Sequence, residues 1–426
     1  MAEMKDSGIE WISDIPEDWD VIRCKYISTF LNGYAFDSKD LQMDFMYPVI
    51  RIGDIKNGEI DNINCQGVNN NYGIENYLIK ENDILLAMSG ATVGKVGIAH
   101  NIENAYINQR VGIIRTDYPS YLFYCLSTKE FIEYILLSAN GSAQPNVSAD
   151  VYREFGIPFP PKEIKIKIVD FLDEKCAEID TLHSDIEKQI DTLEEYKKSI
   201  ITETVTKGLD PDVEMKDSGI EWIGMIPKEW ECKKIKYVTN LSRGIFGHRP
   251  RNDPRYYDGK YPFIQTGDVA CATKVITNYS QTLNELGKKV SKEFKKGTIA
   301  LTIAANVGDV SILGFNAYFP DSIMAVIPHK EIDNMYFYYI LSIMKSEFLR
   351  VAIINTQLNL NVERVGNLYI PITFDKNKQK EIVKYLDEKR AEIDGAIEEK
   401  KEQLETLEQY KKSLIYEYVT GKKEVK

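Results

Sequence analysis

Residues 4–12 read Met-Lys-Asp-Ser-Gly-Ile-Glu-Trp-Ile, and residues 215–223 repeat the same nine letters 211 positions later, half of a 426-residue chain. A chain built this way must fold twice on one plan. The period is too long for a solenoid, because each copy is large enough to bury its own core. The length suits two to four domains. Two similar units on one chain match a ligand with its own approximate two-fold symmetry, and duplex DNA is the commonest such ligand.

The repeat continues past the nonamer. Ile15-Pro16-Glu17-Asp18-Trp19 answers Ile226-Pro227-Lys228-Glu229-Trp230, and Tyr47–Asp54 answers Tyr261–Asp268. Val93-Gly94 returns as Val307-Gly308, and Gln144-Pro145-Asn146-Val147 as Gln357-Leu358-Asn359-Leu360. Leu172-Asp173-Glu174-Lys175 returns as Leu386-Asp387-Glu388-Lys389, and the Tyr-Lys-Lys-Ser of residues 196–199 recurs at 410–413. The offset drifts by a few residues, which places small insertions in loops. Between these anchors the sequences diverge, so one frame carries two different surfaces.

The apolar fraction of 43% is that of a soluble globular chain. No apolar run approaches the roughly 18 residues of a membrane span. The acidic N-terminus has no signal-peptide core, so a cytoplasmic protein is expected. Six cysteines are scattered without a CxxC pair, which argues for reduced thiols and against zinc. The net charge of −12 argues against simple nonspecific DNA binding. That average hides an asymmetry. Residues 13–160 carry 11 Lys and Arg against 19 Asp and Glu, a net of −8, while residues 224–374 carry 19 against 13, a net of +6. If both regions bind DNA, the first must concentrate its few cations on one face or borrow them from a partner.

Tyr47–Ile52, Asp83–Met88 and Val111–Arg115 read as strands, and Tyr121–Leu137 as an amphipathic helix. The second copy repeats the order with strands Tyr261–Gln265 and Ile299–Ile303 and a helix Met335–Ile353. Each domain ends at a proline-bearing strand exit, at Pro158 and at Pro371. A charged helix of about 45 residues follows each exit. Ile179, Leu182, Ile186, Ile190, Leu193, Tyr196 and Ile200 form an apolar seam near heptad spacing on the first, and Ile393, Ile397, Leu404, Leu407, Tyr410 and Leu414 on the second. Gly208 and Pro211 stop the first helix. The expected fold is α+β: two repeated globular domains separated by two long helices that pair as an antiparallel coiled coil. The segments are 1–160, 161–210, 211–374 and 375–426. At 1.5 Å per residue each helix spans at most about 65 Å, a ruler between the two domains.

Two variable domains alternating with two similar helices, each half opened by Gly-Ile-Glu-Trp-Ile…Ile-Pro…Trp, resemble the specificity subunit of a type I restriction–modification system. The Gln-x-Asn element before the proline exit and the Leu-Asp-Glu-Lys helix start carry the resemblance over essentially the whole chain. It implies two target recognition domains, each reading one half of a split, asymmetric DNA sequence, with the helices fixing the spacer. It also implies docking to two methyltransferase subunits and, where present, two restriction subunits. S-adenosylmethionine would then belong to the methyltransferase, and ATP and magnesium to the nuclease, leaving no cofactor in this chain.

No catalytic constellation stands out. Ser89-Gly90-Ala91-Thr92-Val93-Gly94-Lys95 is one residue short of a phosphate loop, and Val96 stands where that loop needs a hydroxyl. It reads instead as a turn that can meet a DNA phosphate through Ser89, Thr92 or Lys95. Asp212, Glu214 and Lys216 read as a charged linker rather than a nuclease metal site. His100, His183, His248 and His329 are far apart, and no nucleophile–base pair follows from spacing.

The strongest DNA-reading signal is Arg243, His248, Arg249, Arg251 and Arg255, interleaved with Phe246, Tyr256 and Tyr257, because arginine suits guanine and phosphate alike. Asn32, Tyr34, Phe36 and Lys39 occupy the equivalent place in the first copy. Lys288 and Lys289, with Lys292, Lys295 and Lys296, suit phosphates better than bases. Gln144 and Asn146, and Gln357 and Asn359, could read adenine. Asn306, in the turn matching Ser89–Lys95, is a further candidate DNA contact. Recurrence of the amide pair in both halves also fits a shared structural turn. Trp11 and Trp222 could meet a protein partner or pack inside their own halves. Two rivals remain: a protein-only scaffold and a self-contained methyltransferase or nuclease.

Overall fold

The computed structural model describes residues 3–43, 45–69, 73–138, 147–354 and 358–425. It divides into two compact units, Met1–Glu187 with Lys401–Lys426, and Lys188–Lys400. Each holds one α+β domain and the portions of the two long helices that pack with it.

In the first unit Ser28–Asn32, Val111–Thr116, Ile84–Ala87 and Val96–Ile98 form an antiparallel sheet in that order. The strand Ile84–Ala87 is buried on both faces, and alternation sorts its side chains. Ile84 and Leu86 join Ile114, Tyr121, Leu122, Phe131 and Ile135 on the helical side. Leu85 and Ala87 join Ile113, Ile50, Ile55 and Ile107 on the other. The second unit repeats the design with Thr239–Arg243, Ile323–Pro328, Ile299–Thr302 and Val310–Leu313, and Val275–Ile276 extends the edge in parallel. There Ile299 and Leu301 face the helices, while Ala300 faces Ile264, Phe294 and Phe319.

The single helix expected over Tyr121–Leu137 is two, Pro119–Leu126 and Lys129–Ser138. The Thr128 hydroxyl donates to Cys125 O (2.9 Å) and accepts from Phe131 N (3.4 Å), ending one helix and starting the next. In the second unit Met335–Ile353 likewise resolves into Asn334–Ser342, Lys345–Val351 and a short strand at Ile353–Ile354. Apolar periodicity runs through both breaks because both helices pack on the same core, so the pattern alone does not mark them.

The long helices run Lys162–Lys207 and Lys376–Val419. Ile168, Leu172, Cys176 and Ile179 of the first and Leu414, Ile415 and Val419 of the second are buried in the first unit's core. Ile201 and Val205 of the first and Ile382 and Leu386 of the second are buried in the other core. Within each unit the start of one helix therefore lies beside the end of the other, which is antiparallel pairing. The seam differs from its expected course at Leu182, Tyr196 and Tyr410, which point to solvent. Lys197 and Lys411 turn inward one position later, where Asp394 and Asp180 meet them.

Each helix stops at a glycine in the left-handed region, Gly208 (φ +78°) and Gly421 (φ +70°). Both lie against a lead-in tryptophan. A Cβ on Gly421 would sit 3.0 Å from Trp19 and 2.5 Å from Pro16, and one on Gly208 would sit 3.4 Å from Trp230. Trp11 packs inside its own half: its ring stacks on Phe155 at 5.2 Å and its Nε1 donates to Gly156 O. Trp222 is half-buried against the second core. No helix among the described residues is long and apolar enough to cross a membrane.

Candidate nucleic-acid interface

Sheet register gathers the variable segments. Asn32 pairs with Gly112, and Gly112 with Leu86, so the strand ends at Asn32 and Ala87 lie at one edge with Val111. In the second unit Arg243 pairs with Met324, and Met324 with Leu301, giving the same edge. Four backbone hydrogen bonds recur there in both copies. Gly33 N donates to Val111 O and Gly244 N to Ile323 O; Met88 N donates to Arg110 O and Ile303 N to Ser322 O. Val147 N donates to Met88 O and Leu360 N to Ile303 O; Ala87 N donates to Lys95 O and Thr302 N to Asp309 O. One bonded frame thus presents three chain segments side by side, with the segment before the proline exit laid across them.

On the first unit's edge Asn32 and Lys95 are exposed, and Lys39, seven residues beyond Asn32, is exposed as well. Tyr34 is half-buried and bridges to Asn108, and its ring meets Phe36 at 5.0 Å and Tyr77 at 5.6 Å. Phe36 is only 9% exposed and its ring is packed among Val49, Val68 and Tyr106. The Ser89 and Thr92 hydroxyls are buried with no hydrogen-bond partner among the described residues, so neither is offered to solvent. Gln144, Asn146 and Gln357 lie outside the described residues. Three exposed or half-exposed residues that the sequence did not single out share this edge: Arg51, Gln109 and Arg110. Asn108 N donates to Ile50 O, which brings the Arg51 and Gln109 segments together. They could have been found by noting that Arg51 and Arg110 bracket strands whose ends the repeat aligns.

The second unit's edge is organised by two carboxylates. Arg243 donates to the Asp321 backbone oxygen, while Arg249 (3.3 Å) and Arg251 pair with the Asp321 carboxylate. Arg255 grips Asp253 at 2.6 Å through one terminal nitrogen, and His248 lies 3.0 Å from the same carboxylate, stacked on Tyr256. The Arg255 hydrogen bonds hold the Asp253 carboxyl well below the usual range. Phe246 and Tyr257 are buried beneath this loop. Asn284 caps the helix Glu285–Lys289 and donates to Arg255 O (2.9 Å), tying Lys288 and Lys289 to the arginine loop. Lys288 sits 4.4 Å over the Tyr261 ring, and Lys289 is exposed. Lys292 donates to the Ser242 hydroxyl at 2.7 Å and, with Lys295 and Lys296, lines an open cleft of about 510 Å³.

Asn306 is exposed in its turn, and the exposed Asn359 bridges to Ala304 two residues before it. Two candidate amides far apart in sequence are therefore neighbours. Asp309, aligned with Lys95, pairs with Lys345 at 2.6 Å. No group of three or more His, Cys, Asp or Glu that could hold a metal lies among the described residues.

The family model described as "Type I restriction modification DNA specificity domain" matches this chain twice, over residues 16–192 and 227–406. The chain is 24% identical over 445 residues to the type I restriction enzyme MjaVIII specificity subunit of Methanocaldococcus jannaschii, covering 97% of this chain and 94% of that one. It is 27% identical over 432 residues to the MjaX specificity subunit of the same organism, covering 97% and 96%. A solved chain, from work on complex assembly and conformational transition of the type I R-M system, shares the fold with a TM-score of 0.69. Its identity is 15%, over 95% of this chain and 98% of that one.

Proposed function

The chain belongs to the type I restriction–modification DNA specificity family, and from that premise we propose that its two domains each read one half of a bipartite, asymmetric DNA target. One observation carries the reading. The same hydrogen-bonded edge recurs in both units, yet it presents Asn32, Lys95 and Arg110 in one and Arg243, Asp309 and Ser322 in the other. A frame kept constant under changing polar side chains suits two readers of different sequences. Groove edges are distinguished by donor and acceptor patterns, and phosphates by cations.

The long helices set the spacer between the half-sites and dock two methyltransferase subunits, with restriction subunits joining where the system has them. The chain itself performs no chemistry. S-adenosylmethionine is held by the methyltransferase, and ATP and magnesium by the nuclease. Exchanging residues 224–374 for another family member's domain, then mapping methylation genome-wide, tests the reading. One half of the motif changes and the other is kept. An unchanged motif favours a protein-only scaffold.

A further inference from the structure

The first domain is acidic, so its reading of DNA depends on where its few cations stand. Of its eleven Lys and Arg, Arg23 and Lys25 pair with Glu154, Lys56 with Asp61, Arg115 with Asp83, Lys129 with Glu133 and Arg153 with Asp150. Five have no ion pair among the described residues: Lys39, Arg51, Lys80, Lys95 and Arg110. Lys80 precedes Ile84, at the far end of its strand. Arg51, Lys95 and Arg110 lie at the edge described above, and Lys39 follows Asn32 by seven residues. Arg51 is half-buried with Asp54 accepting from its backbone N at 2.8 Å. Arg110 is exposed, fixed through its backbone oxygen by Met88 N, and flanked by the exposed amide of Gln109.

The aligned positions make the contrast plain. Val111 and Ile323 share a role in the frame, so Gln109-Arg110 stands where the second domain has Asp321-Ser322, and Asn32 stands where it has Arg243. The guanidinium has moved from one strand end to its neighbour. In the second domain Asp321 holds the arginines; in the first no carboxylate among the described residues pairs with Arg110.

Resting on the reading above, we propose that Arg110 reads a guanine in the half-site of the first domain, and that Lys95 holds a phosphate beside it. A guanidinium with a fixed backbone and no partner among the described residues has its planar donors free for the O6 and N7 of guanine. A lysine serves a phosphate as a point charge.

The test uses the full chain with its methyltransferase partner in cells, with methylation mapped for wild type, R110A, R110Q and R110K. R110A relaxes one guanine position in one half of the motif, with discrimination there falling about ten- to a hundredfold. R110Q moves the preference at that position toward adenine. The other half of the motif stays intact and reports that the chain is folded. An unaltered motif overturns the proposal, as does a uniform decline at every site with base preferences kept, which marks a phosphate contact. If R110A abolishes methylation, R110K decides: relaxation at one guanine supports the proposal and an unaltered motif overturns it. A wild-type complex that methylates no bipartite motif refutes the specificity reading itself, whatever Arg110 does.

Discussion

Lys197 Nζ lies 2.9 Å from the Asp394 carboxylate, and the aligned pair made by the other two ends, Lys411 and Asp180, lies 2.6 Å apart. Each long helix contributes the aspartate of one pair and the lysine of the other, so the same contact is made once in each unit. Lys197 is 19% exposed and Lys411 25%, so the cations sit in the seam rather than on the surface. Such pairs fix register, because a slip of one turn would separate each lysine from its aspartate. The single change Lys197→Glu therefore lowers stability by about 2 kcal/mol, and adding Asp394→Lys restores about 1 kcal/mol. Chemical denaturation of the four proteins of the cycle measures this; a double variant no better than the single one removes the coupling.

Gly33 and Gly244 occupy one position of the repeat, and neither tolerates a side chain. A Cβ would lie 2.1 Å from Asn108 O in the first unit and 2.2 Å from Pro320 O in the second. Neither glycine has a positive φ, so the constraint is close backbone approach rather than conformation. Gly33→Ala and Gly244→Ala each destabilise by about 2 to 3 kcal/mol, because the strand must leave its neighbour. Thermal unfolding reads this directly, and an unshifted midpoint would mean the edge is free to splay.

The duplication, the α+β class and the two long helices were legible in the sequence because anchors such as Leu172–Lys175 and Leu386–Lys389 repeat almost unchanged. The helix break at Thr128 was not, because its signal is one hydroxyl inside a continuous apolar pattern. At the candidate site, residue type does not reveal burial: Phe36 stands between exposed neighbours in the sequence, but its ring fills a small core. Arg110 was missed for the opposite reason. It stands alone in sequence, and only the register of three strands places it beside Asn32 and Lys95.

Asp321 restrains three arginines, and that restraint should bear on discrimination. With Arg249 and Arg251 held on its carboxylate and Arg243 on its backbone oxygen, the edge presents fewer free cations than its sequence suggests. Asp321→Asn keeps the shape and removes the charge. Nonspecific DNA affinity then rises, and the slope of log K against log salt steepens by about one unit. Base preference in the second half-site weakens, since released guanidiniums take phosphates as readily as bases. Salt-titrated binding of the full chain to random duplex DNA measures the first effect, and an unchanged slope would show that the arginines are already available.

The spacer prediction follows from the same reciprocal pairs. Lys188 and Gln189 lie midway in sequence between Asp180 and Lys197 on one helix, and Glu402 and Gln403 midway between Asp394 and Lys411 on the other. One heptad inserted at both points leaves each pair inside its own unit and lengthens each helix by about 10 Å. Rotation is small, about 20°, because seven residues nearly complete two turns. At about 3.4 Å per base pair, the spacer in the methylated motif grows by about three base pairs while both half-sites stay the same. Five residues inserted at the same points would turn the helix by about 140°, so methylation of any motif built on the original half-sites is lost. A heptad variant that keeps the original spacer would show that the helices do not set the distance.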